Sequence, residues 1–242
     1  MLLKTARLYY DEPTMREATA DVLHVGPEGV VLNRSPFYPR AGGQPGDSGF
    51  LGWPDGEATV IDARPGEGTT VLHVLAPGAV APAVGTGVVA WIDWEKRWQY
   101  MRMHTALHLL CSLLPGAGVT GGQIGDERSR LDLDLPVAPD KGMLEDGFAR
   151  LIGADHPVGT KWVDEGVLDT DPGLVRTLSV KPPRGTGRLR LVFIGDPESP
   201  VDMQPCGGTH VDATGLIGRV RVLKIENKGR QNRRIVIGLE DS

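Results

Sequence analysis

His104 and His108 stand four positions apart in Met103-His104-Thr105-Ala106-Leu107-His108. On a helix this spacing puts both imidazoles on one face, about one turn apart, as two ligands of a single ion require. Further along comes Pro205-Cys206-Gly207-Gly208-Thr209-His210, in which Cys206 and His210 flank two glycines. The small size and free φ of glycine would let the backbone turn both side chains toward one point. Neither pair is specific by itself. Two histidines at i, i+4 arise by chance, and a free cysteine is usually just buried. The conjunction is stronger: of the six His and two Cys in the chain, four fall into these two clusters. His104, His108, Cys206 and His210 thus form a chemically sensible set for one Zn2+ per chain. Zinc peptidases carry His-Glu-x-x-His with the Glu as general base, but Thr105 follows His104 here, which disfavours that chemistry.

The helix that must carry the first pair is well marked. Residues 94–114 contain no Gly or Pro, Pro115-Gly116 stops them, and Trp94, Trp98, Met101 and Leu109 supply an apolar stripe. A shorter helix is expected from Asp140 as N-cap to about residue 152. Before residue 93 the pattern is one of short strands between Gly/Pro clusters, at 2–10, 21–25, 29–33, 58–62, 70–75 and 87–92, with a turn near 12–20. Six such strands predict a small β-barrel or sandwich. Strands return at 160–163, 188–194, 219–225 and 234–239. The expected fold class is α+β. An N-terminal small β-barrel domain (1–92) precedes an α/β domain (93–242) whose mostly antiparallel sheet packs on helices.

Composition narrows the function classes. The 33 glycines and 19 prolines require frequent turns, and two cysteines exclude a disulfide framework. The N-terminus has no basic stretch before an apolar run, so a signal peptide is not expected. The uncharged stretch 74–92 is broken by Pro77, Gly78, Pro82, Gly85 and Gly87, which argues against a membrane span. A cytoplasmic protein is expected. The net charge of −5 argues against a polyanion partner, yet residues 171–242 carry 12 basic against eight acidic side chains. One run holds Arg219, Arg221, Lys224, Lys228, Arg230, Arg233 and Arg234 against Glu226 alone; another holds Arg176, Lys181, Arg184, Arg188 and Arg190. Each is either a solvated face or a phosphate track. The Gly-rich stretch Phe37-Tyr38-Pro39-Arg40-Ala41-Gly42-Gly43-Gln44-Pro45-Gly46-Asp47-Ser48-Gly49 lacks the Lys-Ser/Thr of a phosphate loop, so nucleotide binding by it is not expected.

These motifs resemble a known family. Arg102 to Leu110 and Pro205 to Val211 look like the paired zinc motifs of the alanyl-tRNA synthetase editing domain and of its free-standing relatives, the AlaX proteins. The stretch around Gly42, Gly43 and Gln44 resembles the Gly-rich motif shared by the synthetase and the medium-length AlaX type. Gly122-Gln123-Ile124-Gly125 with Arg130-Leu131-Asp132-Leu133, and Thr214-Gly215-Leu216-Ile217-Gly218 through Arg233-Arg234-Ile235, are similar to later family segments. Threonyl-tRNA synthetase shares the zinc motifs but lacks the Gly-rich barrel, and 242 residues cannot also hold an aminoacylation domain. Leu107 departs from the common His-Thr-Ala-Thr-His, and Leu131 and Leu133 replace two Phe.

The resemblance implies a trans-editing hydrolase that uses Zn2+ to cleave the ester of serine, or glycine, mischarged onto tRNA(Ala). In that reading Gln123 orients water or substrate, and Thr105 hydrogen-bonds the serine hydroxyl. Lys224, Lys228, Arg230, Arg233 and Arg234 hold acceptor-stem phosphates. Zinc activates water if one ligand, His210 being the natural choice, binds weakly; otherwise zinc holds the substrate. Asp132, Asp134 and Asp202 are candidate bases only by exclusion. The other readings are a zinc-stabilised RNA-binding module without catalysis and a zinc esterase of small substrates.

Overall fold

The computed structural model describes residues 3–178 and 187–240, so Lys181 and Arg184 lie outside the described residues. The chain divides into two compact units, one ending at Trp98 and the other beginning at Gln99. The fold class is α+β, as the sequence patterning predicts.

In the first unit, β1 (Ala6–Arg7) is followed by β2 (Glu17–Gly26), β3 (Gly29–Leu32), β4 (Arg34–Ser35), β5 (Gly49–Trp53), β6 (Gly56–Pro65), β7 (Val71–Leu75) and β8 (Gly87–Ile92). Six of these close a barrel in the order β2-β3-β7-β6-β5-β8, with antiparallel pairing throughout. Alternate residues point inward, so Ala20 and Val22, Val60, Val88 and Ala90 join Leu32, Leu51 and Phe37 in one core. The barrel has the expected six strands but not the expected membership. Of the described residues in the 2–10 run only Ala6–Arg7 is strand, pairing with β4, because Leu8–Tyr10 coils into a 3-10 turn that buries Tyr9 against Tyr38. The predicted turn near 12–20 gives way to strand from Glu17. The sixth staves are completed by β5, whose glycines mask its strand pattern. Gly49 is required there: a Cβ would fall 1.9 Å from the Trp91 carbonyl oxygen, at φ +156°.

The Gly-rich stretch is explained by this unit alone. Gly42 and Gly43 have φ of +56° and +85°, and Ala41 and Gln44 exchange backbone hydrogen bonds of 3.1 and 2.9 Å. This is a two-residue hairpin turn that needs positive φ at both centres. Farther along the stretch, Asp47 accepts from the Tyr38 amide at 2.6 Å and from Arg97 Nε at 3.0 Å. Arg97 is wholly buried, and it also donates to the carbonyls of Pro36 and Pro13.

A second polar group is buried inside the barrel. His73 Nδ1 donates to the Val30 carbonyl at 2.9 Å, and Nε2 accepts from Ser35 Oγ at 2.7 Å. Ser35 is wholly buried, so this pair is structural rather than nucleophilic. Burial lowers the His73 pKa from 6.5 to about 4. Below pH 6.5 the unfolded chain binds this proton and the folded chain does not, so stability falls as pH drops, down to about pH 4. The expected loss is up to about 3 kcal/mol. Urea midpoints at pH 7, 5 and 4 check it, and the acid loss should shrink in His73→Gln.

The second unit begins within α1 (Trp94–Leu113). Asp93 caps this helix by accepting from the Lys96 amide, and the Pro115-Gly116 pair ends it. Its apolar surface is not a stripe: from Met101 to Cys111 every residue but Arg102 is buried. Then come β9 (Gly118–Gln123), β10 (Arg128–Asp134), α2 (Lys141–Gly153), β11 (Val158–Asp164), α3 (Val167–Thr170), β12 (Arg188–Asp196), β13 (Ser199–Pro205), β14 (Arg219–Asn227) and β15 (Asn232–Glu240). They form a four-stranded sheet, β14-β15-β10-β9, and a three-stranded sheet, β11-β12-β13, both antiparallel. Asp140 caps α2 through the Met143 amide, and Leu144, Gly147, Phe148 and Leu151 form its buried face. That helix packs on β14, where Glu145 accepts from the Val222 amide. Among the described residues no helix is long and apolar enough to cross a membrane.

Candidate metal centre

Two elements of the second unit bring the four sequence-selected donors together. The middle of α1 supplies His104 and His108, and the loop leaving β13 supplies Cys206 and His210. Their ligand atoms all lie within 4.8 Å of one another, and the three histidines are nearly buried. The Cys206 sulfur stands 3.4 Å from His104 Nε2 and 3.3 Å from His210 Nε2. A tetrahedral ion with Zn–S about 2.3 Å and Zn–N about 2.0 Å sets S···N edges at roughly 3.5 Å. The two S···N separations match these edges, and the donor types suit a four-coordinate metal ion.

The electrostatics prepare the donors for a cation. Burial alone would raise the Cys206 thiol, but neighbouring His104, with a hydrogen bond from His108, outweighs it and holds the group well below its ordinary value, toward thiolate. The Gly208 amide also points at the sulfur, 3.4 Å away. Burial, with His104 adding to it, lowers His210 and keeps that ring neutral. His108 moves the other way. Burial opposes its charging, yet hydrogen bonds to Asp202 and Cys206 raise it to about 10. A ligating ion must therefore displace a proton from His108.

Neighbouring side chains hold the ligands in place. Thr105 Oγ1 donates to the Met101 carbonyl at 2.9 Å and accepts from the Val211 amide at 3.3 Å and from His210 Nδ1 at 3.2 Å. Wholly buried and with its proton committed, Thr105 serves His210 and does not offer its hydroxyl to a substrate. Arg190, reaching from β12, donates to the carbonyls of Cys206 and Gly208 and so shapes the loop. Gly207 and Gly208 do not adopt the left-handed region, so the loop does not draw on their freedom in φ. Asp202 and Gln204 alternate along the end of β13, Cys206 follows at the same spacing just beyond it, and Asp202 accepts from His108 Nδ1 at 2.9 Å. The period-2 spacing of these three residues was a signal for this support in the sequence; nothing comparable pointed to Arg190.

The remaining selected residues lie elsewhere. Gln123 is exposed at the end of β9, where its Oε1 accepts from Arg130 Nε at 3.2 Å. It lines a cavity of ≈ 520 Å³ with Arg128, Arg130, Lys224, Glu226 and Arg234, which shares no lining residue with the His/Cys cluster. Arg234 and Arg130 both pair with Asp132, which makes Asp132 their counter-ion rather than a base and holds its carboxyl below the usual range. Arg233 turns inward: its guanidinium donates to the carbonyls of Gly229, Asn232, Pro136 and Arg230. With 8% exposure it has no face for a phosphate. Lys224 and Lys228 are exposed and pair with Glu226, whereas Arg230 is exposed with no acidic partner among the described residues. Gly42, Gly43 and Gln44 belong to the barrel hairpin of the first unit.

Comparison with known proteins covers both units. The Threonyl and Alanyl tRNA synthetase second additional domain matches residues 189–236, and the class II (A) tRNA synthetases match residues 5–96. The chain is 39% identical to an alanine--tRNA ligase of Archaeoglobus fulgidus, over 92% of this chain and 24% of the ligase. It spans about a quarter of the length of the ligases it matches. It is 35% identical to the alanyl-tRNA editing protein AlaX-M of Methanosarcina barkeri and 33% identical to that of Methanosarcina acetivorans. Each match covers 98% of this chain and the whole of the relative.

Proposed function

Because this chain belongs to the AlaX-M family of alanyl-tRNA editing proteins, we propose that it is a zinc-dependent aminoacyl-tRNA deacylase that edits mischarged tRNA(Ala) in the cytoplasm. The observation that carries this reading is the convergence of three imidazoles and one thiol, with all their ligand atoms within 4.8 Å of one another. The reaction is hydrolysis of the ester between the amino acid and the terminal ribose of the tRNA. Water adds its oxygen to the acyl carbon, the acyl–oxygen bond breaks, and the ribose oxygen takes up a proton. His104, His108, Cys206 and His210 would hold the metal, and Thr105 and Arg190 keep His210 and the Cys206 loop in position. When bound, the Zn2+ supplies Lewis acidity at the ester.

The nucleic-acid side of the reaction belongs to the basic cavity. Arg128, Arg130 and Lys224 line it together with Gln123, and Lys228 and Arg230 extend the positive surface. Phosphate contacts of this kind position the ester without reading bases. Arg233, being internal, has no part in them, and Arg234 contributes while tied to Asp132.

Initial rates on Ser-tRNA(Ala), Gly-tRNA(Ala) and Ala-tRNA(Ala), measured side by side at two salt concentrations, test the reading. Serine, or glycine, is expected to be released and alanine spared, with KM rising as salt rises. Lys228→Ala/Arg230→Ala should raise KM and flatten that salt dependence while kcat holds. RNA binding without ester hydrolysis would identify a binding module instead. Hydrolysis of small esters that uncharged tRNA does not inhibit at low salt would identify an esterase.

A further inference from the structure

We infer that Asp202 is a positioning residue for the metal centre: it fixes which nitrogen of His108 faces the donor cluster and makes His108 the anchoring ligand, leaving His210 the more easily released. This rests on the metal-centre reading above. Asp202 is 2% exposed, and its Oδ2 lies 2.9 Å from His108 Nδ1. A carboxylate oxygen facing a ring nitrogen accepts, so Nδ1 carries the hydrogen and Nε2 is the nitrogen left for a metal. Gln204 Nε2 donates to the same oxygen at 2.8 Å, which stops the carboxylate from rotating away. Asp202 Oδ1 is buried without a hydrogen-bond partner among the described residues, and Arg176 Nη2 lies 3.8 Å from it. A buried carboxylate destabilises a fold unless it is paired, and the nearest basic side chain to this one is the ligand His108.

His210 is supported differently. Its Nδ1 meets Thr105 Oγ1 at 3.2 Å, a neutral oxygen that already accepts from the Val211 amide. A hydrogen bond to a carboxylate oxygen holds a ligating imidazole more firmly than one to a shared hydroxyl. The two rings thus enter the same cluster with unequal support. This ordering supplies an exchangeable position in a site whose four donors would otherwise close it.

Metal affinity of the whole chain, measured by Zn2+ competition with a chromogenic chelator, tests this for wild type, Asp202→Asn, Asp202→Glu and Thr105→Val. Asp202→Asn should bind about ten- to a hundredfold more weakly. Asp202→Glu should recover part of the loss, and Thr105→Val should lose less than Asp202→Asn. With Co2+ as the probe, the sulfur-to-metal charge-transfer band should persist in Asp202→Asn while the ligand-field bands shift. Thermal unfolding in excess chelator separates folding from binding. A less stable Asp202→Asn whose Zn2+ affinity stays within twofold of wild type overturns the inference, as does a larger loss in Thr105→Val. If Asp202→Asn does not fold, the Asp202→Glu and Thr105→Val comparison decides: Thr105→Val binding more weakly than Asp202→Glu overturns it. Wild type that retains no metal overturns the metal-centre reading and this inference together.

Discussion

His104→Ala and Cys206→Ala should each abolish Ser-tRNA(Ala) hydrolysis and bound zinc together. Either change removes one of four donors whose atoms all lie within 4.8 Å of one another, and leaves the other three with an open corner. Losing the metal's stabilisation of charge at the ester is worth several kcal/mol, so kcat/KM should fall on the order of a thousandfold or more. The measurement is single-turnover deacylation alongside metal content for the same preparations. Full activity in a zinc-free double variant would sink the metal mechanism. Unchanged circular dichroism is expected for Cys206→Ala, because that side chain is only partly buried.

The second large effect concerns stability. Asp47→Asn should lower the unfolding free energy of the barrel unit by about 3–5 kcal/mol, because it leaves a buried guanidinium without its counter-charge. Arg97 is wholly buried, and its one carboxylate partner among the described contacts is Asp47, beside the carbonyls of Pro13 and Pro36. Urea unfolding followed through tryptophan fluorescence reads the change, since Trp94 and Trp98 lie in the same unit. The double variant Asp47→Leu/Arg97→Met should recover much of the loss by replacing the pair with apolar volume. A change below about 1 kcal/mol in Asp47→Asn would mean that solvent reaches the guanidinium. On this account the Gly-rich stretch is a structural knot: its hairpin and its aspartate are organised around one buried arginine.

How much of this was legible in the sequence depends on the range of the interactions involved. The helix from Trp94 and the cap at Asp140 are local features, set by the absence of Gly and Pro and by a side chain that reaches its own backbone. The His104/His108 face follows from helical spacing, and the Cys206/His210 pair from four residues of loop. The donor set could therefore be named before any fold was known. The same local reasoning missed β5, since the glycines that weaken its pattern are there for Trp91, a residue far along the chain. It took residues 2–10 for a stave, because an apolar run does not reveal that Tyr9 will pack on Tyr38.

Charge was the least readable property. The basic run 219–234 is visible as composition, but which of its members face water depends on the register of β15 against β10. That register sets Arg234 opposite Asp132 and Arg233 opposite Leu133. One residue of offset on a strand reverses the face, so Arg233 enters the interior while Arg234 meets a carboxylate at the cavity. In the same way Thr105 reads as a polar side chain beside a ligand, and only packing shows that its proton goes to Met101 and its lone pair to His210. The sequence by itself determined the chemistry of the donors, because ligand type and short spacing are carried by neighbouring residues. The tertiary structure alone decided which charges are free and which neighbours steer each ligand, because those pairings join residues about a hundred positions apart that meet only across a sheet or a buried helix.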